Sequence, residues 1–96
     1  MTTERAHAIA ERLRSDLGAS HVEVIDDSAR HAGHPGAASG AGHFRVLVVS
    51  DRFEGLQRVA KQRLVYRSLA ELMDHEIHAL QMQTLTPDEW RRVQGV

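Results

Sequence analysis

The spacing of apolar residues along this 96-residue chain changes several times, and each change marks an element. Ile9, Leu13 and Leu17 recur every four residues with Ala6 and Ala10 on the same stripe, which predicts a first helix with one buried face. Thr2 or Thr3 stands where a helix cap is wanted, and Gly18 stands where a helix end favours glycine. Over residues 21–27 the period falls to two, with Val22 and Val24 flanking Glu23, and a strand is predicted. Residues 44–50 form the most apolar stretch; both parities are hydrophobic after Arg45, as in a central strand. Asp51-Arg52-Phe53-Glu54-Gly55 reads as a turn, and Leu56, Val59, Ala60 and Leu64 return to helical spacing. Ser68-Leu69-Ala70-Glu71 has the form of a capping box and so opens a new helix, with Leu69, Leu72, Met73 and Ile77 as its buried stripe. Residues 79–85 alternate Leu80, Met82 and Thr84 with Gln81 and Gln83, a third strand with one wet face. Thr86-Pro87-Asp88-Glu89 is a second capping box with proline at the first helical position, and Trp90 and Val93 are placed to pack the last helix down.

The resulting order is α-β-β-α-α-β-α in a single domain over residues 1–96. The first two strands can pair antiparallel. The second and third are joined through helices, for which a right-handed parallel crossover is the rule. The expected fold is therefore α+β, a three-stranded mixed sheet covered by helices on one face. Residues 28–42 differ from the rest: four Gly, five Ala, two Ser, one Pro, one Arg and two His, with no large apolar side chain. Such a Gly/Ala-rich segment cannot bury itself and is expected to be a long mobile loop, a kind of loop that often carries function.

Composition narrows the chemistry. Twelve Lys and Arg against 13 Asp and Glu give a net charge of −1, which disfavours nucleic-acid binding by bulk charge. No apolar run approaches the roughly 20 residues of a membrane span. Met1-Thr2-Thr3-Glu4-Arg5 is followed by no apolar run, so no signal peptide and a cytoplasmic home are expected. The absence of Cys removes disulfides, thiol catalysis and any metal site built on the chain's own thiolates. Seven His remain as metal ligands of intermediate softness: His7, His21, His31, His34, His43, His75 and His78. His75-Glu76-Ile77-His78 is not a zinc-protease motif, because the two His are three apart rather than four. His43 opens a strand and reads as structural; His7 and His21 read as solvent-facing. No GxSxG elbow, Walker A loop or GxGxxG after a strand is present, and no enzymatic activity is expected.

The run His43-Phe44-Arg45-Val46-Leu47-Val48-Val49-Ser50-Asp51-Arg52-Phe53-Glu54-Gly55, then Arg63-Leu64-Val65-Tyr66 and Leu69, Ile77-His78-Ala79-Leu80, and Thr86-Pro87-Asp88-Glu89-Trp90, resembles the BolA family in order and spacing over residues 21–92. The resemblance implies a class II KH-like fold. It also implies a cytosolic protein, monomeric when alone, that partners a monothiol glutaredoxin around a shared 2Fe-2S cluster with glutathione. Members of the family are further described as stress-linked, morphology-affecting transcription regulators. The chain departs from the family at Gln62, where a His is common.

By position, His78 reads as a histidine ending the third helix against its last carbonyls; the resemblance instead makes it a cluster ligand. His34, nine residues before His43, matches the family's second ligand, with His31 as a competitor and a solvated loop histidine as the plain reading. Two imidazoles can replace two thiolates on one iron of such a cluster. A chain without Cys leaves the remaining ligands to come from elsewhere, and the resemblance implies that they are the glutaredoxin's Cys and glutathione.

Arg52, Arg58, Lys61, Arg63 and Arg67 fall within 16 residues. The commonest meaning of such a run is a solvated helix face. The functional meaning is contact with DNA phosphates or with an acidic partner through the basic helix 58–67. KH domains grip nucleic acid through a GxxG loop between two helices. The link at residues 65–68 has no Gly, and Gly33-His34-Pro35-Gly36 lies between two strands, so RNA binding of the KH type is disfavoured.

Overall fold

A computed structural model of the chain describes residues 4–27 and 42–95. Helix α1 (Glu4–Leu17) is followed by β1 (His21–Asp26), β2 (Gly42–Val49), a 3-10 turn (Asp51–Phe53), α2 (Arg58–Ser68), α3 (Ala70–His75), β3 (Ile77–Leu85) and α4 (Pro87–Val93). The strands form one sheet in the order β1-β2-β3, with β1 antiparallel and β3 parallel to the central β2. The α+β architecture expected from the sequence is thus present.

Strand pleat and helix stripe together place the core. Ala6, Ile9, Leu13 and Leu17 of α1 are buried against Val22, Phe44, Val46 and Val48 on one face of the sheet. Phe53, Val65, Leu69 and Ile77 complete the same cluster. On the other face Arg45 is exposed and Leu47 half-buried, so the second apolar parity of β2 is not covered along its length. Val49 is the exception. It pairs with His21, and Trp90 of α4 stacks on that imidazole with centroids 4.7 Å apart. Gly18, at φ 57°, turns the chain out of α1 in a conformation that favours glycine.

Several sequence expectations are corrected. Ser68 does not cap a new helix: it is the last residue of α2, and its hydroxyl donates to Asp16 Oδ2 at 2.9 Å on α1. Leu69 alone separates α2 from α3, because the N–H of Leu69 and of Met73 both continue the helical ladder. The buried stripe of α2 runs through Val65 and Ser68, whereas Val59 on its first turn and Leu56 just before the helix are exposed. β3 starts at Ile77, two residues early, because Gly42 N–H bonds to Glu76 C=O and pulls Ile77 into register. The same bond makes Gly42 the first residue of β2 rather than the end of a loop; the rest of the 28–42 segment lies outside the described residues. Val93 is 58% exposed and does not pack; Trp90 stacks its ring on His21, which is half-buried rather than solvent-facing.

Candidate functional site

His78 lies at an irregularity in the sheet. Gly42 pairs with Ile77, but the next residue of β2, His43, pairs with Ala79. His78 is therefore the extra residue of a bulge on β3, a feature that re-aims one side chain out of the regular pleat. Its side chain is exposed, and the His43 ring stands 5.0 Å away, tilted by 55°.

The backbone around it is tied on both sides. Glu76 C=O accepts from Gly42 N–H at 2.9 Å, Glu76 N–H donates to Leu72 C=O at 2.7 Å, and the Glu76 carboxylate meets Arg5 Nε at 2.9 Å. His78 is thus presented from an anchored frame rather than from a fraying helix end, which corrects the helix-terminal reading. Asp27 N–H donates to His43 C=O at 2.8 Å, and its carboxylate holds Arg45 Nε at 2.7 Å. Asp27 and Gly42, the described residues on either side of 28–41, are therefore both fastened at the end of the sheet that carries His78.

His31 and His34 lie outside the described residues. His43, read from sequence as structural, is brought beside His78. The parallel register sets HFRVLV against ALQMQT, so His43 pairs with Ala79 and its ring comes to lie beside the bulged His78. Among the described residues no group of three or more His, Cys, Asp or Glu converges on a point.

The basic run divides into two kinds of residue. Arg52, Arg58, Arg63 and Arg67 are exposed and form no salt bridge with a described residue, and Tyr66 is exposed among them. Lys61 differs: its ammonium lies 3.3 Å from Glu89 Oε1 and its side chain is 13% exposed, so its charge is already met. The Thr86 N–H donating to Glu89 at 2.9 Å, and then Lys61, hold the Glu89 carboxyl below its usual value. This carboxylate completes the Thr86 capping box and ties α4 to α2.

A family model described as BolA-like protein matches residues 13–89. Mouse BolA-like protein 2 is 45% identical over 87 residues, 91% of this chain and 91% of that protein. The DNA-binding transcriptional regulator BolA of Escherichia coli strain K12 is 40% identical over 86 residues, 90% of this chain and 79% of its own. Human BolA-like protein 1 is 43% identical over 84 residues; the match covers 88% of this chain and 59% of the human protein. Among solved structures, the BolA domain of SufE1 from Arabidopsis thaliana superposes with a TM-score of 0.80 at 35% identity, covering 93% of this chain and 99% of that one. BolA1 from Mus musculus gives 0.79 at 36% identity, covering 99% and 75%. No described helix is long and apolar enough to cross a membrane.

Proposed function

This chain belongs to the BolA family, and from that premise we propose that it acts without catalysis as the partner of a monothiol glutaredoxin in the cytoplasm. In this reading the pair shares a glutathione-ligated 2Fe-2S cluster as cargo, for cluster trafficking and assembly or for iron and redox sensing. The observation that carries it is His78: an exposed imidazole on a β-bulge, its backbone anchored, at the sheet end that also holds Asp27 and Gly42.

The donor set fits the cargo. The chain offers imidazoles and no thiolate, so it can hold one iron through nitrogen and leaves the sulfur ligands to the glutaredoxin Cys and glutathione. His78 is the first ligand. His34 is the second, with His31 in competition. Gly42 lies eight positions beyond His34, a tether of at most about 28 Å. A ligand held before its metal arrives gives up less freedom on binding, so His78 contributes more than a histidine of the 28–41 segment.

Mixing the chain with a cluster-bearing, glutathione-loaded monothiol glutaredoxin tests the reading. The expected result is a heterodimer with a changed visible circular dichroism spectrum. His78→Ala abolishes that spectrum while far-UV dichroism stays native; His34→Ala leaves a cluster that forms but decays faster. A stable red-brown preparation of the isolated chain, containing iron and sulfide, overturns the proposal.

A second reading is favoured by the four exposed arginines that form no salt bridge with a described residue and by the name of the Escherichia coli relative: DNA binding through α2, in a stress or morphology regulator. Replacing Arg58, Arg63 and Arg67 with Ala should abolish DNA retention, while Lys61→Ala changes it little. Three phosphate contacts give a salt slope near −2.7 on a log–log plot; a slope near zero excludes this role for the helix.

A further inference from the structure

The two edges of the sheet are protected unequally. β1 carries Glu23 and Asp26 and ends beside Asp27, the kind of charge that keeps an edge from pairing with another strand. β3 is nine residues long, and no described strand pairs with its outer edge. Between Ile77 and Leu85 it has neither Pro nor Asp, Glu, Lys or Arg, and its bulge is confined to the His78 end. Residues 79–85 therefore present a regular edge without the usual blocks.

A groove runs beside that edge. Met82, Gln83 and Thr84 of β3 line it with Arg58, Lys61 and Gln62 of α2, around a volume of about 270 Å³. Met82 and Thr84 are half-buried and Gln83 is exposed, so alternate residues give a shallow apolar floor and an amide at the rim. Arg58 is exposed and in no salt bridge with a described residue, and α2 has no carboxylate in its first turn to offset it. The groove thus combines backbone able to accept a strand, a slot for one side chain, and one positive charge that no described carboxylate meets.

We infer that this edge and groove form a docking site for an extended, acidic segment of a partner protein. The segment adds to β3 as a fourth strand and sets a carboxylate against Arg58. Strand addition derives affinity from main-chain hydrogen bonds and specificity from the pockets that alternate side chains meet. A single-stranded nucleic acid fits less well. The groove lining has no aromatic ring for base stacking, and Lys61 is already neutralised by Glu89. The link between α2 and α3 is one non-glycine residue, Leu69, rather than a loop that clamps a phosphate backbone. The site is separate from the His78 end of β3, so its failure would leave the glutaredoxin reading intact.

The test uses the full chain, labelled with nitrogen-15, titrated with a capped heptapeptide alternating Val and Glu. Amide shifts should concentrate on residues 80–84 and at Arg58, and the outward-facing amides of β3 should gain protection from exchange. The same peptide N-methylated at alternate residues, which cannot complete the ladder, should not bind. Arg58→Glu, a change at an exposed site, should weaken the Val-Glu peptide at least about threefold and favour a Val-Lys peptide instead, as expected for one partly solvated ion pair. The inference is overturned if shifts centre on β1, if the methylated peptide binds equally, or if Arg58→Glu leaves the preference between the two peptides unchanged. It is also overturned if a ten-residue oligothymidylate gives the same shifts at lower concentration than the peptide. A chain that self-associates through β3 and excludes the peptide would identify a second copy as the occupant instead.

Discussion

Ser50→Ala should destabilise the domain more than any other loss of one oxygen in this fold. Ser50 is fully buried, and its hydroxyl joins two elements. It donates to Leu17 C=O at 2.6 Å, at the end of α1, and accepts from Arg52 N–H at 3.1 Å, capping the 3-10 turn. Leu17 is 3% exposed, so water cannot replace the lost donor, and an orphaned buried acceptor costs about 1–3 kcal/mol. Losing the cap adds about 0.5–2 kcal/mol, at the low end because Arg52 is exposed and its N–H can find water. The sum is about 2.5 kcal/mol, against a total of about 5–14 kcal/mol for a domain of this length. It lowers the melting midpoint by about 10–20 °C. Urea and thermal unfolding followed by Trp90 fluorescence and far-UV dichroism would measure it. Ser20→Ala is the control: Ser20 is exposed, its bond to Val49 C=O is a long 3.5 Å, and its loss should cost no more than about 0.5 kcal/mol. Equal effects from the two variants would refute the assignment of Ser50 as the joint between α1 and the turn.

Leu69→Ala should cost about 2–4 kcal/mol because Leu69 is fully buried where α2 meets α3, whereas Val59→Ala, at a 57% exposed position, should stay within about 0.5 kcal/mol; denaturant midpoints separate the two. The folded Glu89 carboxyl titrates below its ordinary value of 4.5, chiefly through the Thr86 N–H and then Lys61, so its stabilisation is fully present above that value and is lost as pH falls through the folded one. Glu89→Gln should therefore flatten the acid limb of stability below about pH 5 while lowering stability at neutral pH, read by Trp90 emission across a pH series.

Most of the fold was legible because its signals are local and agree with one another. The Ile9–Leu13–Leu17 stripe, the alternation of β3 and the Thr86 capping box each fix an element without help from the rest of the chain, and the structure contains all three. Failures arose where a local signal met a tertiary competitor. Ser68 and Glu71 have the spacing of a cap, but the Ser68 hydroxyl donates to Asp16 on α1 instead, and the ladder runs on to Leu69. Leu56 and Val59 have helical spacing, yet which face of α2 is buried is decided by where β2 and α1 lie. That information is held in Phe44 and Leu13 rather than in α2.

The candidate site shows the same division more sharply. The ligand role proposed for His78 could be read only through a family resemblance, because a lone histidine near a helix end has an ordinary explanation. Its setting depends on a one-residue mismatch between strand residues 35 and 36 positions apart: Gly42 meets Ile77, His43 meets Ala79, and the intervening His78 is left over. No window on the sequence contains both partners of that mismatch. The hydrogen bond from Gly42 to Glu76 creates it, and Arg5 from the first turn of α1 secures Glu76 in place. Three separate stretches of chain therefore hold the backbone from which one exposed imidazole projects. Arg5→Ala provides a probe of that coupling: if the frame positions His78, the variant should retain the fold yet loosen the cluster spectrum of the glutaredoxin complex, an effect on a ligand that Arg5 itself does not supply.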